Sequence, residues 1–170
     1  MKPVKLIYDK YDNDIGFIQN EIDGKVITDI ELEKSKVLNL LPQQILDKQI
    51  NKNRVINIYT WGIKKSSGID CDITFDLTSF QTKLDDNLDV HSLNGFSKEI
   101  QDSIILHPKF IELIKKVVSM VEINSPHTIG FFCNHGKHRS VGWAELIKKY
   151  YYTRAKVKHL CNPRRNLKMN

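Results

Sequence analysis

The chain has 170 residues, of which 41% are hydrophobic and 27% charged, values that are ordinary for a single soluble globular domain. No apolar run approaches the roughly 20 residues of a membrane span, and the early acidic residues of MKPVKLIYDKYDND argue against a secretory signal, so we expect no membrane association. The three cysteines are too widely spaced for a disulfide framework or a paired metal motif, so we expect a reducing, cytoplasmic location, no metal and no cofactor.

The charge is unevenly distributed along the chain. The net charge is +6, and residues 127–170 contain six Lys and four Arg against one acid, which gives +9 and leaves −3 for residues 1–126. This asymmetry predicts a phosphate or polyanion partner for the C-terminal third. A solvated basic face with no such partner is the alternative interpretation.

Residues 1–52 form the first predicted unit, an N-terminal β/α appendage. The stretches VKLIY and IGFIQNEI are strand-like, and DNDIG and DGK are turn signals. The segment ELEKSKVLNLLPQQILDKQI predicts a helix that is broken near Pro42. Because no chemical motif occurs here, we expect the appendage to cover an edge or a face of the main domain.

Residues 53–170 are predicted to form the main domain, and its first half contains two strands. RVINIYTWG alternates and then becomes apolar before a polar loop, which is typical of a strand that ends at a loop. DITFDLTSF predicts a second strand, with every second residue from Ile73 to Ser79 on one face.

The second half of the main domain adds helices and two more strands. FSKEIQDSIIL predicts a helix, and Pro108 can open the next one, whose apolar residues from Phe110 to Val121 have helical spacing. HTIGFF predicts a buried strand, a helix follows from about Arg139 to Thr153, and AKVKHL predicts a last strand. This order predicts an α/β fold with a small mixed sheet and helices packed on it.

The segment CNHGKHRS joins the buried strand to the helix and carries the chemistry. A helix N-terminus offers unpaired N–H groups and about half a positive charge. Gly136 permits a close backbone approach, and Lys137 and Arg139 add full charges. The sequence therefore predicts a strand–glycine loop–helix anion site, with a basic surface turn as the alternative. Its candidate phosphate-binding residues are Asn134, His135, Gly136, Lys137, His138, Arg139 and Ser140.

The same segment fits a catalytic pattern. Five residues separate Cys133 from Arg139, and Ser140 follows, which is the C-x5-R-S/T signature of cysteine-dependent phosphatases. In such an enzyme Cys133 is the nucleophile and Arg139 holds the phosphate, because a helix N-terminus and nearby cations favour the thiolate. A small buried cysteine at a strand end is the structural alternative.

A phosphatase also requires a general acid for the leaving group. Asp70, Asp72 and Asp76 are candidates, although none lies in a recognisable acid-loop motif. A further alternative is a reaction in which His135 or His138 acts as acid or base on a bound phosphate ester.

A longer resemblance covers over a hundred residues, from about Val55 to Arg165. WGIKKSSGIDCDITFDLTSF, Trp61 to Phe80, aligns without a gap to a family stretch like FGFKxGxPxDADxVFDVRF. The family loop IGCTGGKHRSV resembles IGFFCNHGKHRSV, in which GKHRSV is intact. The Ala144-Glu145 pair and KVKHLCNPRR follow as in the family. By these motifs the chain resembles the C-terminal domain of the RNase adapter protein RapZ, and this resemblance also accounts for the C-x5-R-S pattern.

The resemblance implies an α/β domain whose loop binds the phosphate of an amino-sugar phosphate. It also implies a basic surface that binds small regulatory RNA and presents it to a nuclease. The chain departs from the family at four positions. His135 replaces a glycine, Asn134 a threonine, Thr78 an arginine and Lys65 a histidine of some members. No phosphate loop occurs in residues 1–52, where the family has a nucleotide-binding domain.

We therefore expect a binding or sensor domain for a phosphorylated metabolite rather than an enzyme, with the cysteine phosphatase as the alternative. Lys64 and Lys65 follow the first strand, where open α/β sheets collect ligands, and Asp76 lies near the end of the second. RNA is the second expected partner, and a homo-oligomer is compatible with an edge strand. The candidate RNA-binding residues are Lys156, Lys158, His159, Arg164 and Arg165.

Overall fold

The computed structural model describes residues 31–38, 50–82, 84 and 87–161. The strands are β1 Asn57–Gly62, β2 Ile73–Asp76, β3 Thr128–Cys133 and β4 Lys156–His159. The helices are α1 at residues 31–38, α2 Lys98–Ile105, α3 Phe110–Asn124 and α4 Arg139–Tyr150. These elements confirm the predicted α/β fold. None of the helices in the described ranges is long and apolar enough to cross a bilayer.

The four strands form one sheet in the order β2-β3-β1-β4. Each neighbouring pair is parallel, so the expected mixed sheet is wrong for the described strands. The reason lies in the connections, because α2 and α3 cross over between β2 and β3, and α4 crosses over between β3 and β4. Gly62 of β1 is in register with Cys133 of β3, so the carboxyl ends of the two central strands meet at one edge.

The core surrounds β3, which is buried at the centre of the sheet. Ile129 and Phe131 of β3 are both 0% exposed. Trp143 of α4 stacks on Phe110 of α3 at 5.1 Å and on Phe131 at 6.5 Å between ring centroids. Both helices are therefore fixed against the strand that leads into the candidate loop, and loss of any of these rings would leave a cavity.

Two elements end earlier than the sequence predicts, each for a local reason. β2 ends at Asp76 rather than Ser79, because the Asp76 carboxylate accepts hydrogen bonds from the Thr78 N–H at 2.8 Å and hydroxyl at 2.6 Å, which turns the chain. α4 ends at Tyr150 rather than Thr153, where the next two N–H groups both donate to the carbonyl of Ile147.

The described part of the appendage is α1, within the predicted helix. Its Lys34 forms a 2.6 Å ion pair with Asp102 of α2, and Val37 is 7% exposed within the core. α1 thus contacts the main domain, and the covering role of the appendage as a whole stays a prediction. The predicted strands at 4–8 and 15–22 and the break near Pro42 lie outside the described residues, and the division at residue 52 stays a prediction.

Candidate functional site

The candidate site lies where β3 ends and α4 begins. The N–H of Ile63 donates to the carbonyl of Cys133 at 3.0 Å, and the N–H of Lys64 donates to that of Asn134 at 3.1 Å, so the loop extends alongside the end of β1. Gly136 has φ 69°, in the left-handed region that glycine adopts without strain. A loop with this conformation leads into the first turn of α4, which contains no acidic residue to occupy the positive end of the helix dipole.

Two glycines let the loop touch β1. A Cβ added to Gly62 would lie 2.2 Å from the carbonyl carbon of His135 and 2.5 Å from the nitrogen of Gly136. A Cβ added to Gly136 would lie 2.5 Å from the nitrogen of Gly62. The path of the loop therefore depends on the missing side chains at both positions.

Cys133 lies at the base of the loop and is 2% exposed. Its Sγ accepts a hydrogen bond from the N–H of Gly136 at 3.3 Å and lies 3.3 Å from the Oγ of the buried Ser140. The Gly136 N–H and a suitably turned Ser140 hydroxyl are what a nucleophilic sulfur needs, and the same two contacts satisfy a neutral thiol in a structural role. The geometry thus fits both interpretations of Cys133 that the sequence leaves open.

Arg139 is directed at main-chain carbonyls beyond the end of β2. Its Nη1 donates to the carbonyls of Thr78 at 2.8 Å, Leu77 at 3.0 Å and Phe80 at 3.5 Å. The guanidinium is therefore oriented by the protein before any ligand arrives. Sequence reasoning missed this contact, since main-chain acceptors leave no signature in the side-chain pattern.

Lys137 and His138 contact the segment that precedes α2. The Nζ of Lys137 donates to the carbonyl of His91. The Nε2 of His138 lies 3.0 Å from the carbonyl of Val90 and 2.9 Å from that of Leu93. Burial lowers the pKa of His138, and because both neighbours can only accept, the neutral ring carries its proton on Nε2. Three consecutive loop residues, 137–139, thus contact two other segments of the chain.

The remaining predicted ligand residues lie around the same edge of the sheet. Lys64 and Lys65 are exposed, and the main-chain bond from Lys64 to Asn134 places the first lysine beside the loop. His135 is exposed at the loop itself, and Asp76 is exposed at the end of β2, opposite Phe132 in register. These residues lie at the same end of the sheet as the loop, and their contact with a ligand stays a prediction.

Asp72 lies at the opposite end of the sheet. Its Oδ2 accepts hydrogen bonds from the N–H groups of Thr128 at 3.0 Å and His127 at 2.8 Å, and these bonds lower the pKa of Asp72. Asp76 lies four residues further along the chain, a distance of about 13 Å at the rise of an extended strand. Asp72 therefore orders the start of β3 and cannot reach the loop, whereas Asp76 lies at the same edge as the loop.

The candidate RNA-binding residues divide into two groups. Lys156 and Lys158 are exposed at alternate positions of the edge strand β4, whereas His159 is 9% exposed. The His159 ring lies between Thr60 Oγ1 and Glu145 Oε1, each 2.7 Å from one ring nitrogen. His159 therefore joins β1, β4 and α4 and faces the interior.

Two further exposed cations precede β4 in the chain, and two of the predicted arginines lie outside the described residues. Lys149 and Arg154 are exposed, and sequence reasoning left them out although their charge is plain in the sequence. Arg164 and Arg165 lie outside the described residues. In the part of the chain that the structure describes, no group of three or more His, Cys, Asp or Glu side chains could hold a metal ion.

One family of known proteins matches a range of this chain that includes the loop and all four strands of the sheet. The RapZ C-terminal domain model matches residues 54–165. A nucleotide-binding protein of Shewanella denitrificans is 29% identical over 131 residues, 72% of this chain and 45% of that protein. One of Thermosipho melanesiensis is 27% identical over 146 residues, 77% of this chain and 51% of that protein. The chain thus spans about half the length of the curated relatives it matches. With well over half of its residues matched, the chain belongs to the RapZ C-terminal domain family.

Proposed function

We propose that this chain is a binding domain for a phosphorylated small molecule, whose phosphate lies on the main-chain amides of residues 134–140. The junction of β3, Gly136 and the α4 N-terminus carries this proposal, because it combines a close-packed loop with consecutive donors from Lys137 to Arg139. A phosphate there would meet unpaired helix amides and two fixed cations. Family membership supports the same role.

Two classes of ligand are candidates for this site. The resemblance to the family implies an amino-sugar phosphate, whereas the curated relatives are named nucleotide-binding proteins. We propose the amino-sugar phosphate, with Lys64, Lys65 and Asp76 beside the part of the ligand that extends from the loop. The exposed carboxylate of Asp76 is a suitable partner for an amino group.

Titration calorimetry with four ligands tests this function. The ligands are inorganic phosphate, a hexosamine 6-phosphate, the matching hexose 6-phosphate and a nucleoside monophosphate. We expect all four to bind and the hexosamine phosphate to bind best. Lys137→Ala should weaken the binding of each ligand by roughly tenfold or more, which is the contribution of one charge-assisted hydrogen bond. Lys116 is an exposed lysine on α3, so Lys116→Ala should leave the affinities unchanged. Equal affinities of the two variants would contradict the proposed site.

A cysteine phosphatase is the second candidate, favoured by the two polar contacts of Cys133 Sγ, with the Gly136 N–H and the Ser140 Oγ. In that reaction the thiolate attacks phosphorus, the alcohol leaves with a proton from an acid such as Asp76, and water then hydrolyses the thiophosphate. Hydrolysis of an aryl phosphate by the wild type and its loss in Cys133→Ser would establish this function. We expect no turnover by either protein, with phosphate still raising the melting temperature of both.

RNA binding is proposed for a separate surface. Four exposed cations form this surface: Lys149 at the end of α4, Arg154 in the turn that follows, and Lys156 and Lys158 on β4. Phosphates of a polyanion can approach them there. If this surface binds RNA, log affinity should fall steeply with log salt concentration. Replacing Lys156 and Lys158 by Ala should reduce the magnitude of that slope by about 1.4–1.8. A flat salt response in the wild type would contradict RNA binding.

A further inference from the structure

Two stretches of the segment between β2 and α2 contact the loop, namely residues 77–80 and 90–95. We name these two stretches together the strap. We propose that the strap is coupled to the anion site, so that a phosphate on the loop immobilises the strap through Lys137, His138 and Arg139. This inference rests on the proposed function and adds a regulatory output to it. A partner could then sense the ligand through the strap without touching the loop.

Arg139 is the first link between ligand and strap. Its three strap contacts all involve Nη1, with the carbonyls of Leu77, Thr78 and Phe80. A guanidinium has five N–H donors in a rigid plane, so Nε and Nη2 can bind two phosphate oxygens while Nη1 keeps its carbonyls. The strap thus orients the arginine in advance, which reduces the entropy lost when the anion binds. By reciprocity, the bound anion must stabilise the strap.

The other end of the strap is attached to the loop by side chains and backbone. Lys137 Nζ contacts the carbonyl of His91, and its other ammonium protons can bind an anion. The carbonyl of Lys137 accepts the N–H of Gly95 at 2.8 Å. A Cβ on Gly95 would lie 2.3 Å from the nitrogen of Gly142, so the strap crosses directly over the first turn of α4. Lys137 therefore joins the anion site to the strap through both its side chain and its main chain.

Two strap carbonyls are acceptors for both the loop and the strap itself. The carbonyl of Leu77 also accepts the N–H of Phe80 at 3.1 Å, and that of Val90 accepts the N–H of Leu93 at 3.2 Å. Each of these carbonyl oxygens accepts both bonds through its two lone pairs, so a strap turn cannot open without disturbing the bond to the loop side chain. Fixing the loop side chains with an anion should therefore slow the opening of both strap turns. A competing anion that drew Arg139 away from the carbonyls would have the opposite effect.

Amide hydrogen exchange with and without saturating inorganic phosphate tests the coupling, alongside calorimetry on the same protein. The N–H groups of Phe80, Leu93 and Gly95 should exchange roughly fivefold more slowly or better with phosphate, a typical allosteric coupling. The N–H of Lys156, bonded to Ile56 in the sheet, is the reference and should not change. Phosphate binding with unchanged or faster strap exchange overturns the inference alone, while absence of phosphate binding overturns the proposed function with it.

A substitution at His138 tests whether the strap and the anion site are coupled or merely adjacent, because the Nε2 of His138 is directed at the strap. We assign it as a positioning residue, so His138→Ala should weaken phosphate binding by roughly fivefold and abolish the slowing at Leu93. His138→Gln, which keeps an N–H donor, should restore part of both. Unchanged exchange at Lys156 shows that each variant is folded. Wild-type phosphate affinity together with wild-type slowing at Leu93 in His138→Ala would overturn the proposal.

Discussion

Substitution of Gly62 by alanine is the sharpest test of how the loop is built. The added Cβ would lie 2.2 Å from the carbonyl carbon of His135, and 2.5 Å from both the carbonyl oxygen of His135 and the nitrogen of Gly136. All three atoms belong to the backbone, so no side-chain rotation can relieve the clash. The loop, the end of β1 or both must move.

The required displacement follows from these distances. Ordinary contacts of a Cβ begin at 3.4 Å, so the nearest pair must separate by 1.2 Å (3.4 − 2.2). Overpacking of this kind costs about 1–3 kcal/mol, and we expect the upper half of that range because the obstruction is main chain. A shift of this size also takes loop amides out of hydrogen-bonding range of a phosphate, which should weaken its binding by roughly tenfold.

Urea unfolding and phosphate titration of Gly62→Ala measure the two effects. Gly142→Ala is the matched control, because its Cβ would meet the flexible end of Ile104 at 2.5 Å and alanine favours a helix. We expect the control to change the free energy of unfolding by about 1 kcal/mol or less and to bind phosphate normally. A Gly62→Ala protein with wild-type stability and wild-type phosphate affinity would refute the packing of the loop on β1.

Three further predictions concern charge and buried polar groups. Arg139→Lys should weaken phosphate binding by roughly tenfold or more, because lysine lacks the planar guanidinium that binds two phosphate oxygens at once. Calorimetry measures this change, and an unchanged affinity would show that Arg139 does not bind the phosphate. Burial alone would raise the pKa of Glu122, but hydrogen bonds from Arg54 and a tyrosine hydroxyl outweigh it, so that pKa is lowered. The stability that Glu122 contributes is thus complete above its usual pKa of 4.5 and is lost as pH falls through the lowered value. In urea unfolding, the free-energy difference between wild type and Glu122→Gln should therefore shrink below about pH 4.5. A constant difference from pH 7 to 3 would contradict this. Thr60→Val should cost about 1–3 kcal/mol of unfolding free energy, because it leaves a nitrogen of His159 buried without its partner, and a neutral result would contradict that network.

Local patterns in the sequence predict the elements well. The run HTIGFF predicts β3 to within one residue at each end, because a central parallel strand is buried on both faces, and the apolar spacing that begins at Phe110 predicts α3. Pro108 lies just before that helix, where the N–H of Phe110 donates to the carbonyl of His107. The position of the loop after β3 follows from the same reasoning.

Strand order and the strap contacts could not be predicted from the sequence, for a different reason. Alternation within DITFDLTSF shows which residues share a face but not which strand lies alongside, so the order β2-β3-β1-β4 emerges only in three dimensions. The acceptors for Arg139 and His138 are main-chain carbonyls, which every residue possesses. The sequence neighbours of His159 favour a basic surface, whereas alternation along β4 exposes Lys156 and Lys158 and turns His159 inward.

The central claim is that residues 134–140 bind phosphate through their main chain. Backbone amide chemical shifts, recorded by NMR during titration with inorganic phosphate at constant ionic strength, test it most directly. We predict that the amides of residues 134–140 shift together with one dissociation constant, while those of α3 do not. If phosphate shifts no amide of the loop, or shifts α3 and the loop alike, the loop is not the phosphate site.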